Sequence, residues 1–413
     1  MRLHASINRR QFLSVAALTA TLPRFLEKTG YALAGDQGGH TAPLEGLKDN
    51  HVLVVVQLAG GNDGLNTVVP FVDDAYHKAR PKLALNANQV LKISDALAFH
   101  PEMTDLKGLY DEGLLAVVQN VGYPNPNRSH FRATEIWETA TDATRMTQTG
   151  WIGRYFDNEC RGVPSPMLGL QVGERPAQTF AHRASRTVTL GNVDLFKWPV
   201  SDPVAVAMDR LNAIGATDNE TLDFLQRSAN RTLGLSRQIQ EAVERCQTSK
   251  EYLPFEFQQS LKLVAQMIAA EIPTRVYYVS LGGFDTHANQ TNRHAALLQE
   301  LSQGLATFCR DLKEMGHLDR TLVMTFSEFG RRVAENDSRG TDHGTAAPLF
   351  LAGGRVKPGL HGEAPDLGNL ESGDLRFKID FRSVYATILK EWFLADPSKV
   401  FETEFPMLPI LES

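Results

Sequence analysis

Short apolar runs recur along the chain, and glycine or a polar residue follows each within two positions. Val52 to Leu58 reads VLVVVQL, Leu114 to Val121 reads LLAVVQNV, and Arg275 to Leu281 reads RVYYVSL. Thr321 to Phe326 reads TLVMTF, and a further run spans Pro348 to Ala352. Leu114 to Val121 is continuous rather than alternating, as a strand covered on both faces requires. Elsewhere apolar residues recur at helical spacing. Ala133, Ile136, Trp137 and Ala140 form one such set, and Leu297, Leu298, Leu301, Leu305 and Phe308 another, within a helix predicted from Thr291 to about Gly316. Phe381 to Leu394 reads as a closing helix. Residues 165–200 read as short strands and turns. From Pro203 to about Ala270 the pattern is helical, and this stretch is expected to be an insertion within one domain spanning 51–413. Strands alternating with helices predict an α/β fold with a largely parallel central sheet and helices on both faces.

The chemistry collects where the runs stop. After Leu58 comes Ala59-Gly60-Gly61-Asn62-Asp63. After Leu281 comes Gly282-Gly283-Phe284-Asp285-Thr286-His287, and after Phe326 comes Ser327-Glu328-Phe329-Gly330-Arg331. Asp342-His343-Gly344 precedes the run that starts at Pro348. Open α/β sheets bind ligands outside the carboxyl ends of their strands. Carboxylates and imidazoles gathered there are what a divalent cation needs. Asp63, Asp285, His287, Glu328, Asp342 and His343 are therefore the expected ligands of one or two divalent ions (Zn, Mg, Mn or Ca). Each has a plainer alternative: a turn at Asp63, a helix cap at Asp285, a Glu328–Arg331 ion pair, a solvated loop histidine at His343. Ser129 stands at a predicted helix start, where it is either an N-cap or a nucleophile next to free helix N–H groups. Arg128 beside it could bind a transferred anionic group. The sequence does not decide whether His130 faces the site or the core, and His294 is a weaker ligand candidate.

The chain has 413 residues and a formal charge of −6, with ordinary hydrophobic and charged content (42% and 22%) and no basic tract, so nucleic acid is not an expected partner. At the N-terminus, Arg9-Arg10-Gln11-Phe12-Leu13 precedes a mildly apolar stretch from Ser14 to Leu22 and the small-residue site Ala32-Leu33-Ala34. That order reads as a twin-arginine export signal over residues 1–34, too short in its apolar part to serve as a stable membrane anchor. The export machinery is the expected partner and the periplasm or exterior the expected location. Residues 35–50 are expected to be a loose mature N-terminus. Removing 1–34 leaves 37 basic and 47 acidic residues, a charge of −10. Cys160, Cys246 and Cys309 show no framework or paired motif and no expected role. No dinucleotide fingerprint and no haem or cluster pattern supports a redox protein.

Together LAGGNDGLN, NRSHFRATEIWETA, GWIGRYFD, GGFDTHANQ, SEFGRR and TDHGT, behind that signal, resemble the bacterial domain-of-unknown-function family 1501. The resemblance covers roughly residues 50–410. That family is grouped with the alkaline phosphatase and sulfatase superfamily. The grouping implies an alkaline-phosphatase-like three-layer sandwich, a serine-type nucleophile, divalent metal, and in-line transfer of phosphoryl or sulfuryl groups. By this resemblance Asp63 matches the first-strand metal aspartate and Ser129 the nucleophile. Asp285 and His287 resemble the Asp/His pair of one metal site, and His343 a late metal histidine. Glu328 falls where the superfamily has an aspartate followed by histidine. Two departures stand out: the short spacing from Asp285 to His287, and Phe329 where a histidine is expected. They imply one site that is oxygen-rich, suiting Mg²⁺, Mn²⁺ or Ca²⁺, or lost. The implied function is an exported metal-dependent hydrolase of phosphate or sulfate esters. The alternative is a non-catalytic exported binding protein that keeps the fold.

Overall fold

The computed structural model describes residues 47, 49–160, 163, 165, 167–173, 175–182, 187–190, 234–235, 238–241 and 243–412. The expected export signal, nearly all of the expected loose N-terminus and about half of the expected helical insertion, its N-terminal part above all, lie outside these residues.

Among the described residues nine strands form the central sheet. In chain order they are β1 (Val52–Ala59), β2 (Leu115–Gly122), β3 (Gly169–Val172), β4 (Thr187–Leu190), β5 (Val276–Gly282), β6 (Thr321–Phe326), β7 (Ala347–Gly353), β8 (Gly359–His361) and β9 (Ile379–Asp380). Their order across the sheet is β8-β2-β7-β6-β1-β5-β3-β4, with β9 also beside β2. All pairings are parallel except those of β7, which runs against both β2 and β6. The apolar runs are these strands, within a residue or so at each end.

Both faces of the sheet are covered, and this is why β1 is apolar throughout. Val52, Val54, Val56 and Leu58 enter one core, which they share with Leu106, Leu261, Val264, Leu301 and Leu305. Leu53 and Val55 enter the other, with Ile136, Trp137, Ile152, Tyr155 and Tyr385. The first core is roofed by the helices α1 (Thr104–Asp111), α4 (Glu256–Ala269) and α5 (Gln290–Glu314). The second is roofed by α2 (His130–Thr139), α3 (Trp151–Glu159) and α6 (Phe381–Thr387). The architecture is the three-layer α/β arrangement expected. The closing helix is shorter than its apolar pattern, because a π-turn over Ile388–Trp392 follows it. No helix among the described residues is long and apolar enough to cross a membrane. No disulfide joins Cys160, Cys246 and Cys309.

Helix α2 is tied to the sheet by polar bonds. Trp137 Nε1 donates to the Glu328 carbonyl at 3.0 Å. Buried Glu138 accepts from the Tyr278 hydroxyl at 3.0 Å and from the Gln178 amide at 2.8 Å. Burial raises the Glu138 carboxyl to about 7, against the pull of those two bonds. A carboxyl raised in the folded state contributes stability that is full below the unfolded value and is lost as pH climbs through the folded one. From 4.5 to about 7 that loss amounts to about 3 kcal/mol. Glu138→Gln is therefore expected to unfold at higher denaturant than wild type at pH 8 and to match it near pH 4.5. Parallel stability–pH curves for the two proteins would refute this.

Candidate metal centre

Five loops meet at one edge of the sheet. Those after β1, β5 and β6 arrive there because parallel strands end at a common edge. The loop before β7 joins them because an antiparallel strand begins where its neighbours end. The loop after β2 leads into α2 and brings Ser129 and His130. Glycine permits the packing. Gly60 and Gly61 have φ of +117° and +77°, and a Cβ on them would lie 2.4 Å from the Asp285 amide nitrogen and 2.3 Å from the Phe329 ring.

Arg331 locks these loops together. Its side chain is buried and donates to the carbonyls of Gly61, Thr341, Gly60 and Phe284 and, at 2.8 Å, to Asp285 Oδ1. Burial alone would raise the Asp285 carboxyl. The bonds from Arg331 and His343, with the charges nearby, outweigh it and hold the group at about 2. The Glu328–Arg331 pair, the plainer alternative for Glu328, is thus not formed, and Arg331 serves Asp285.

Around Asp285 Oδ1 stand three imidazoles. His343 Nε2 and His287 Nε2 lie 3.2 Å from it and His130 Nε2 3.6 Å. His287 Nε2 and His343 Nε2 are 2.9 Å apart. The opposite nitrogen of each ring is engaged by an acceptor. His130 Nδ1 lies 2.8 Å from Glu328 Oε1, which also accepts the Gly60 N–H at 2.8 Å. His287 Nδ1 lies 3.0 Å from Asp342 Oδ1, and His343 Nδ1 2.8 Å from the Arg128 carbonyl. Carbonyls and carboxylates only accept, so each Nδ1 carries a proton; a ring that is neutral then turns its Nε2 lone pair inward, and a ring protonated at Nε2 as well donates to Asp285. Three lone pairs and a carboxylate oxygen at these distances repel one another unless a proton or a cation lies among them. This outer bonding is also how proteins fix histidines that bind metal. The donor atoms of His130, Asp285 and His343 all lie within 4.8 Å of one another. The bond to Glu328, working against burial, raises the His130 imidazole, whereas burial lowers that of His343.

The expected set is thus sorted into three positions. Asp285 and His343 share the centre with His130, which the sequence left undecided, and His287 stands at its edge against Asp285 and His343. Glu328 and Asp342, expected as ligands, instead stand behind His130 and His287 as acceptors. Asp63, also expected as a ligand, is enclosed away from the centre. Its carboxylate meets Arg80 Nη1 at 2.6 Å and accepts from Gln290 Nε2. Buried His294 bonds Asn62 Oδ1 at 2.9 Å, and burial lowers its imidazole to about 3. Phe329 walls the centre, its ring centroid 4.5 Å from that of His343 and 5.0 Å from that of His130. The donors grouped around Asp285, those of His130 and His343, are nitrogens.

Ser129 is exposed at the N-cap of α2, and its hydroxyl makes no capping bond. The cap alternative is therefore not realised. Arg128 Nη2 binds Asp374 Oδ2. Neither Arg80, which neutralises Asp63, nor Asp374 carries a signal in the sequence that marks it as a partner.

A family model described as "Protein of unknown function (DUF1501)" matches residues 50–403. No curated protein matches the chain. Among solved structures, one match is the C-terminal periplasmic domain of EcEptC from Escherichia coli, at 11% identity and TM-score 0.37, covering 75% of this chain and 74% of that one. Another is a protein in the alkaline phosphatase superfamily from Vibrio parahaemolyticus, at 11% identity and TM-score 0.36, covering 83% and 66%. Alkaline phosphatase from the Antarctic bacterium TAB5 matches at 10% identity and TM-score 0.33, covering 74% and 91%.

Proposed function

We propose that this chain, which belongs to the DUF1501 family of proteins of unknown function, is an exported hydrolase of phosphate or sulfate esters that works with one divalent metal ion and the Ser129 hydroxyl. One observation carries the reading: three imidazoles with Nδ1 bound outward and Nε2 turned onto Asp285. Three nitrogens and one carboxylate suit Zn²⁺ and its transition-metal neighbours better than Mg²⁺ or Ca²⁺, which prefer oxygen. A single ion is favoured because Asp63 is neutralised by Arg80 and Phe329 supplies no donor. Such an ion supplies Lewis acidity toward an ester oxygen and lowers the pKa of a bound hydroxyl.

The side chains divide the remaining work. His130, His287, His343 and Asp285 hold the ion, while Glu328, Asp342 and the Arg128 carbonyl fix the rings. Ser129 precedes His130 directly, and its unbonded hydroxyl is available as the attacking group. The side chains of His287 and Asp285 are 44% and 46% exposed, which leaves one face open to substrate. Ser129→Ala should abolish hydrolysis of an aryl phosphate or sulfate by metal-loaded protein. Since no capping bond is lost, its stability should change by less than the roughly 1 kcal/mol typical of cap removal. A variant with full activity would remove Ser129 from the reaction. A wild type that binds metal and hydrolyses neither ester would favour the non-catalytic binding protein.

Export by the twin-arginine machinery belongs to the same proposal and rests on Arg9, Arg10 and the apolar stretch after them. Replacing both arginines by lysine is expected to hold the precursor in the cytoplasm. Undiminished periplasmic yield of that variant would exclude the route.

A further inference from the structure

A charge imbalance lies on the rim of the centre. Arg128 and Arg332 share one carboxylate, that of Asp374, which is buried in the hairpin Leu370–Leu375. Arg128 Nη2 binds Asp374 Oδ2, and Arg332 Nε lies 3.5 Å from Oδ1. The Arg332 guanidinium also donates to the Ser372 carbonyl, at 3.0 Å. Two guanidinium groups against one carboxylate leave a net positive charge, and the two side chains remain 42% and 38% exposed. Like charges held together in this way repel. Arg332 also acts on Asp342, but that carboxylate is already bonded to His287 and Asn336.

Main-chain bonds tie the backbones of both arginines to residues of the centre and of its outer bonding. The Arg128 carbonyl accepts the His343 Nδ1 proton at 2.8 Å, and the Arg332 amide donates to the Asp342 carbonyl at 3.0 Å. Guanidinium forks match the geometry of phosphate and sulfate oxygens. We infer that Arg128 and Arg332, backed by Asp374, form an oxyanion subsite that adjoins the imidazole centre and holds a charged sulfate or phosphate group of the substrate. The inference deepens the hydrolase reading and rests on it for the word substrate: the favoured esters keep a full negative charge beside the centre.

The test dispenses with metal. Chelator-treated mature protein is titrated with sodium sulfate, with sodium chloride at matched ionic strength as reference, and its melting temperature is followed. Wild type should rise above the chloride reference. Arg332→Gln and Arg128→Gln should each weaken sulfate about tenfold, as expected when one charge-assisted pair is lost. Arg332→Lys should recover part of the response, and circular dichroism checks that each variant is folded. An unchanged sulfate response in both glutamine variants, or no wild-type response beyond chloride, overturns the subsite. Sulfate binding by the chelated protein, with no ester turnover once metal is restored, would end the hydrolase reading and leave the subsite standing. Turnover without sulfate binding would do the reverse.

Discussion

Asp63→Ala is expected to lose about 3–5 kcal/mol of stability in denaturant unfolding, the usual consequence of removing one partner of a buried ion pair. Arg80 would keep its charge in a fully enclosed position. Its other partners are neutral: the carbonyls of Val333 and Arg332 and the side-chain oxygen of Asn66. Asp63 and Arg80 thus form a structural pair that joins the β1 loop to the segment after Arg331. Burial raises the Asp63 carboxyl, but the charge and hydrogen bond of Arg80, with His294 and Gln290 beside it, together lower it by more. With the folded value depressed, the pair's contribution is present above the ordinary aspartate range and is lost as pH falls through the lowered value. Metal affinity of the surviving folded fraction should be unchanged. An Asp63→Ala protein as stable as wild type, yet poorer in bound metal, would return Asp63 to the ligand set.

The fold was largely legible because burial on both faces leaves a plain signal. VLVVVQL and TLVMTF have no polar face, and each lies between two helical layers in the structure. The meeting of these loops was also legible, since the residues after parallel strands must share an edge. Roles within the site were harder to read. Whether a carboxylate faces a cation or a guanidinium depends on a partner far away in sequence. Asp63 is settled by Arg80 and Asp285 by Arg331, and no local pattern announces either pair. His130 was ambiguous for a related reason. It begins α2, and the rotation of that helix is fixed by Trp137 bonding the Glu328 carbonyl and by the buried bonds of Glu138. Phe329 shows the opposite case. It breaks the expected pattern of ligands, and the break is real, since its ring packs on His130 and His343 in place of a donor.

Zinc is expected to raise the melting temperature of chelator-treated protein, and His130→Ala or His343→Ala should abolish most of that rise. A ligand that binds only the folded state stabilises it by mass action, about 2.7 kcal/mol at a free concentration one hundred times Kd. The stabilisation should be large because the metal-free centre brings lone pairs together: His287 Nε2 and His343 Nε2 sit 2.9 Å apart, and each is 3.2 Å from Asp285 Oδ1. Magnesium and calcium should have little effect on a set of three imidazoles and one carboxylate. The outer bonds can be tested separately. Glu328→Gln and Asp342→Asn keep the shape but weaken the acceptor behind His130 and His287, and each should reduce zinc affinity about 10–100-fold. A purely structural Glu328 would behave otherwise: Glu328→Gln would lower stability equally with and without zinc. Equal stabilisation by zinc in wild type and His130→Ala would remove His130 from the centre, and a stronger response to magnesium than to zinc would contradict a nitrogen-rich site.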